Sequence, residues 1–158
     1  MAFDTFDEGI NPGGMRSKNE IKTLICYLYN SVKENIDKGI VIQAILKQGL
    51  ANYFETSSAF DDLVMNGNLI PADDEHKTYS LTKNGAEIAK QLDSTVAYTI
   101  KEKAYACAVK LLAEKKKEIE NKVNIMKNDK RMVAALHMAS LTVIPVSVVL
   151  PGLLTVKR

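Results

Sequence analysis

Between Ser17 and Leu92 the apolar residues keep helical spacing in four separate bursts, and the period changes to alternation only once, between Leu69 and Leu81. Such a chain must pack several short helices around one small hairpin, because helices and strands repeat their inward positions at different intervals. Ser17 stands three residues before Glu20, the capping-box spacing, and Ile21, Leu24, Ile25, Leu28 and Val32 follow on one helical face. Asp37 caps a second, shorter helix carrying Val41, Ala44 and Ile45, and Gly49 supplies a residue able to end it. A third helix is expected from about Thr56 to Asn66, capped by Thr56 or Ser57, with Phe60, Leu63 and Val64 inward and Gly67 as terminator. Leu69-Ile70, the polar turn Ala72 to His76, and Thr78-Tyr79-Ser80-Leu81 read as a β-hairpin. Thr82 then caps a fourth helix with Ile88, Ala89 and Leu92 on its inner face.

The run Leu63-Val64-Met65-Asn66-Gly67-Asn68-Leu69-Ile70, followed by the hairpin and Leu81-Thr82-Lys83-Asn84-Gly85, resembles the winged-helix transcription regulators over residues 16–95. The whole chain, including Phe3-Asp4-Thr5-Phe6-Asp7-Glu8-Gly9 and Arg16-Ser17-Lys18-Asn19-Glu20-Ile21-Lys22, is also similar to an uncharacterised bacterial family classed only as a domain of unknown function. The winged-helix resemblance implies that helix three lies in the major groove of double-stranded DNA, with the hairpin as a wing along the backbone. On that template the candidate DNA contacts are Arg16 and Lys18 at the start of helix one, Thr56, Ser57 and Ser58 on helix three, and His76 and Lys77 in the wing.

The charge distribution pulls the other way. Residues 1–97 carry nine Lys and Arg against fourteen Asp and Glu, whereas residues 98–158 carry twelve against five. DNA affinity at physiological salt draws on roughly six to ten neutralised phosphates. Helix three has no Lys or Arg, and Asp61 and Asp62 stand on or beside its exposed face. The alternative is therefore a winged-helix module that binds another protein.

Around this module the chain reads as an extended N-terminal arm over residues 1–15, the winged-helix domain over 16–96, and a third part over 97–158. The third part opens with a long helix whose stripe is Ile100, Ala104, Cys107, Ala108, Leu111 and Leu112, while Lys101, Lys103, Lys110 and Lys115 to Lys117 lie largely elsewhere. Asn128-Asp129 makes a natural turn between two expected strands, Val123 to Lys127 and Arg131 to Met138, and Leu141 to Leu150 is dominated by β-branched residues. The expected class is α+β: an N-terminal winged helix-turn-helix, then a long helix and a small antiparallel β-rich part. An apolar edge strand and the long helix together would supply a homodimer contact.

Met132 to Val156 carries no formal charge and is long enough to span a bilayer, yet its two prolines, serines and threonines argue for strands over a membrane helix. A membrane-attached regulator is the weakest of the three readings. Cys26 and Cys107 sit in apolar stretches at no metal-ligand spacing, and the chain opens without the charged and apolar segments of a signal peptide, so a reduced, cytoplasmic protein is expected. Phosphate-binding glycine loops, HExxH and CxxC are absent from the sequence, and His76 and His137 lie far apart. Neither an enzyme nor a cofactor or metal protein is expected.

Overall fold

The computed structural model describes residues 9–75 and 77–143, with side chains described as far as Leu136. Helix α1 (Lys18–Val32) is followed by a two-residue strand β1 (Ile36–Asp37), then α2 (Lys38–Lys47) and α3 (Tyr53–Met65). Strands β2 (Leu69–Asp73) and β3 (Thr78–Leu81) form a hairpin, α4 (Lys83–Gln91) follows, and α5 runs from Tyr98 to Val143. The sheet order is β1-β3-β2, antiparallel throughout, with Ile36 opposite Tyr79 and Leu69 opposite Leu81. The protein is thus a mixed helix-and-sheet fold.

Local chemistry explains most boundaries. The Glu20 carboxylate accepts from the Ser17 N–H at 3.3 Å, and Lys33 ends α1 in the left-handed region at φ 59. Asp37 closes β1 and caps α2 at once, its carboxylate accepting from the Gly39 N–H. The Thr82 hydroxyl accepts from the Gly85 N–H at 3.3 Å and faces the carbonyls of Gly67 and Asn68 at 2.9 and 3.1 Å, so one side chain starts α4 and ties it to the end of α3. Ahead of α1, the Asn11 N–H donates to the Gly49 carbonyl at 2.8 Å and the Met15 N–H to the Leu50 carbonyl at 2.7 Å. These bonds fix the second half of the expected arm against the end of α2; Phe3 and Phe6 lie outside the described residues.

The core gathers Leu24, Ile25 and Leu28 of α1, Val41 and Ile45 of α2, Phe60 and Leu63 of α3, and Leu69 of β2. Ala104, Ala108 and Leu111 of α5 join it, as the sequence stripe implies. Lys101, expected elsewhere, is buried with them. Its ammonium donates to the Asp93 carbonyl and carboxylate, both at 2.7 Å, and lies 5.5 Å from the Tyr27 ring centroid, which compensates its lost hydration. Tyr29 is also buried, and its hydroxyl donates to the Ile36 carbonyl at 2.9 Å, anchoring β1 to α1. Burial drives the Tyr29 pKa up, with the Asp37 carboxylate adding to the shift.

Three expectations are corrected. α3 starts at Tyr53 rather than Thr56, because Asn52 is the cap, its side chain accepting from the Glu55 N–H at 2.8 Å. β1 is an addition to the expected elements; its two residues carry no periodicity. The strands expected at 123–127 and 131–138 are helix, since α5 continues unbroken to Val143. Its sequence there is rich in Lys, Glu, Met, Ala and Leu and contains no Gly or Pro, so nothing stops the helix and Asn128-Asp129 sits within it. The remainder of the expected last strand, from Ile144 on, lies outside the described residues. The chain forms two compact units that meet in sequence between Glu114 and Lys115. In the second, every residue from Lys116 to Leu136 is exposed.

Candidate functional site

α3 has two unlike faces. Thr56, Ala59, Phe60 and Leu63 are buried in the core. Phe54, Ser58, Asp61 and Met65, spaced by four, three and four residues, point outward, with Phe54 77% and Met65 84% exposed. Tyr53 joins them, its ring edge-on to Phe54 at 5.8 Å and also exposed. Tyr53 and Phe54 stand at one end of this line and Met65 at the other, with the polar Ser58 and Asp61 between them.

The flanking charges are already satisfied within the chain. Lys18 and Lys22 of α1 both reach the Asp62 carboxylate at 2.8 Å, and Lys38 of α2 reaches Asp61 at 2.6 Å. The Lys38 ammonium also lies 5.3 Å from the centroid of the Phe60 ring. The two acids thus act as internal counter-ions to three lysines rather than as a bare repulsive pair. Hydrogen bonding from Lys18, then from Lys22, holds the Asp62 carboxyl below the usual carboxylate range. A depressed carboxylate stabilises the fold above its unfolded pKa, and that contribution is lost as pH falls through the folded value. The stability of the wild type relative to Asp62→Asn is therefore expected to be constant near neutrality and to shrink on acidification below about pH 4. Urea unfolding of both proteins between about pH 7 and pH 2.5 checks this; parallel curves would remove the pairing.

The candidate DNA contacts are dispersed. Arg16 is exposed just ahead of α1, and Lys18 opens the helix and is held on Asp62. Thr56 is buried and its hydroxyl donates to the Asn52 carbonyl at 2.7 Å, so it is turned into the protein. Ser57 is half-buried and Ser58 exposed. Lys77 is exposed at the hairpin turn with φ 52, while His76 lies outside the described residues. Lys77 borders a cleft of about 580 Å³ between α2, the first residue of α3 and the hairpin, whose described lining includes Lys38, Tyr53, Asp74 and Tyr79 but none of Arg16, Lys18, Ser57 or Ser58. Sequence reasoning missed Tyr53, Phe54 and Met65 as surface residues. Their signal was present in the i, i+4, i+7, i+11 spacing of Phe54, Ser58, Asp61 and Met65 opposite the buried line.

Among the described residues no group of His, Cys, Asp and Glu is placed to hold a metal ion. Burial pushes the Cys26 thiol up to about 12, which makes it a packing group and not a nucleophile. Among the described residues, no helix is long and apolar enough to cross a membrane.

Fold and surface together define a small helical module closed by a three-stranded antiparallel sheet, with an amphipathic α3 whose outer face is left uncovered. The chain belongs to the family described as Domain of unknown function (DUF4364), whose model matches residues 21–142. No curated protein and no solved structure matches it.

Proposed function

We propose that the first unit is a winged-helix recognition module of a regulatory protein, and that its α3 docks on a protein partner. The order α1-β1-α2-α3-β2-β3-α4, with β1 pairing to β3 at the edge of the hairpin, supports the winged-helix reading. The choice of partner rests on one observation: α3 turns Phe54, Ser58, Asp61 and Met65 outward without a single cation, while the lysines beside it are held by Asp61 and Asp62. Such a face offers apolar area to a protein and no bidentate donor to a guanine edge. A photo-cross-linker at position 54 in cells is expected to give one discrete adduct. Met65→Asp abolishes it, and the same cross-linker at exposed Glu87 of α4 gives none. A diffuse set of adducts indifferent to Met65→Asp would sink the docking reading.

Double-stranded DNA is the second reading, favoured by the excess of twelve Lys and Arg over five Asp and Glu in residues 98–158. In that reading Arg16, Lys18, Ser57, Ser58 and Lys77 contact phosphates and the basic helix adds to the field. Anisotropy of labelled random duplexes between about 50 and 200 mM salt separates the two. Protein docking through α3 expects no binding. DNA binding expects a steep salt slope that falls by about one on Lys77→Ala.

A further inference from the structure

The second unit carries a stripe of its own. Along α5, Ile119, Val123, Met126 and Val133 are all exposed, and with Lys116 and Lys130 they complete an alternating three- and four-residue repeat from 116 to 133. Lys116, Val123 and Lys130 occupy one core position of the heptad, and Ile119, Met126 and Val133 the other. Helices draw most of their stability from packing an apolar face, and a repeat of this period seats one helix against another in a left-handed supercoil. We infer that this stripe is the contact of a homodimer in which the two copies of α5 run antiparallel, with Val123 of each opposite Met126 of the second copy.

Charge complementarity selects both the partner and its direction. In that register, Glu120 faces Lys127 of the second copy and Lys122 faces Asp129, and each pair occurs twice by the two-fold symmetry. Lys116 then lies opposite Val133 and Lys130 opposite Ile119, where an aliphatic stem covers the apolar neighbour while the ammonium reaches water. A parallel pair would set Lys116 against Lys116, Lys130 against Lys130 and Lys122 against Lys127, leaving Lys115 and Glu120 as its one attractive flanking pair. The sequence is thus complementary to its own reverse and repulsive to its parallel copy. The contact spans about 27 Å of helix. The inference holds whichever partner α3 takes.

Sedimentation equilibrium of the full chain tests it. The expected mass is twice 17.5 kDa, reached at tens of micromolar protein at about 100 mM salt. Lys127→Glu and Glu120→Lys each place two like-charged pairs in the interface and are expected to weaken the dimer about tenfold. The double variant restores wild-type affinity. Val123→Asp gives a monomer whose urea unfolding matches that of the wild type diluted below the concentration at which it dimerises, because the side chain is exposed in the single chain. A parallel dimer would instead tighten on Lys127→Glu, since the introduced carboxylate would then face Lys122. That result overturns the inference, as does a wild-type monomer at about 100 µM or a dimer indifferent to all the charge variants.

Discussion

Truncating Phe60 to alanine is expected to lower the unfolding free energy by about 3–5 kcal/mol, as urea unfolding followed by far-UV circular dichroism would measure. Phe60 is fully buried and joins three elements. Its ring meets Tyr79 of β3 edge-on at 5.0 Å, lies 6.4 Å from Tyr29 of α1, and has the Lys38 ammonium of α2 over its face. Removal forfeits the transfer energy of the ring and leaves a cavity that these elements cannot close without moving the sheet. A domain with some 5–15 kcal/mol in hand loses a large share of its stability. Exposed Phe54, only six residues away, is the internal comparison: Phe54→Ala is expected to change stability by less than about 0.5 kcal/mol. Equal effects at the two positions would mean that the faces of α3 have been assigned wrongly.

Gly85→Ala is expected to destabilise the protein by about 2 kcal/mol, even though alanine is the better helix former by about 1 kcal/mol. Gly85 is the third residue of α4, and a Cβ built there would stand 2.5 Å from the Asn68 carbonyl oxygen and 2.5 Å from Leu81 Cδ1. The leucine could rotate; the carbonyl belongs to the backbone and also accepts from the Thr82 N–H and hydroxyl. The added methyl therefore forces α4 away from the end of α3 and loosens the clamp that holds the hairpin between them. Asn84→Ala, on the exposed side of the same turn, lacks this clash and is expected to be close to neutral. Gly85→Ala matching Asn84→Ala in thermal unfolding would show that the close approach carries no energetic weight.

The Leu81-Thr82-Lys83-Asn84-Gly85 run shows why much of the first unit could be read in advance. Thr82 as cap and Gly85 as the point of closest packing are short-range necessities, as are the Asp37 cap and the apolar lines of α1, α2 and α4. The start of α3 misled because Thr56, Ser57 and Ser58 all favour caps, while Asn52 fills that role four residues earlier and the aromatic pair after it points into water. In the second unit the Asn128-Asp129 pair suggested a turn between two strands, and the β-branched run from Leu141 suggested a third. A helix already running from Tyr98 adds each further residue at the low cost of propagation, so it overrides such weak local preferences until a breaker intervenes.

By itself, then, the sequence determined which segments are helical in the first unit, where most of them begin, and the single hairpin, because caps, glycines and apolar periods act within one or two turns of chain. Tertiary structure alone decided what the charges do. Asp61 and Asp62 read as a barrier to DNA in one dimension, and only the packing of α1 and α2 against α3 makes them the counter-ions of Lys18, Lys22 and Lys38. It also decided which apolar residues are left over. Phe54 and Met65 are as apolar as Phe60 and Leu63, and only the position of the core relative to α3 decides which pair is exposed and which is buried.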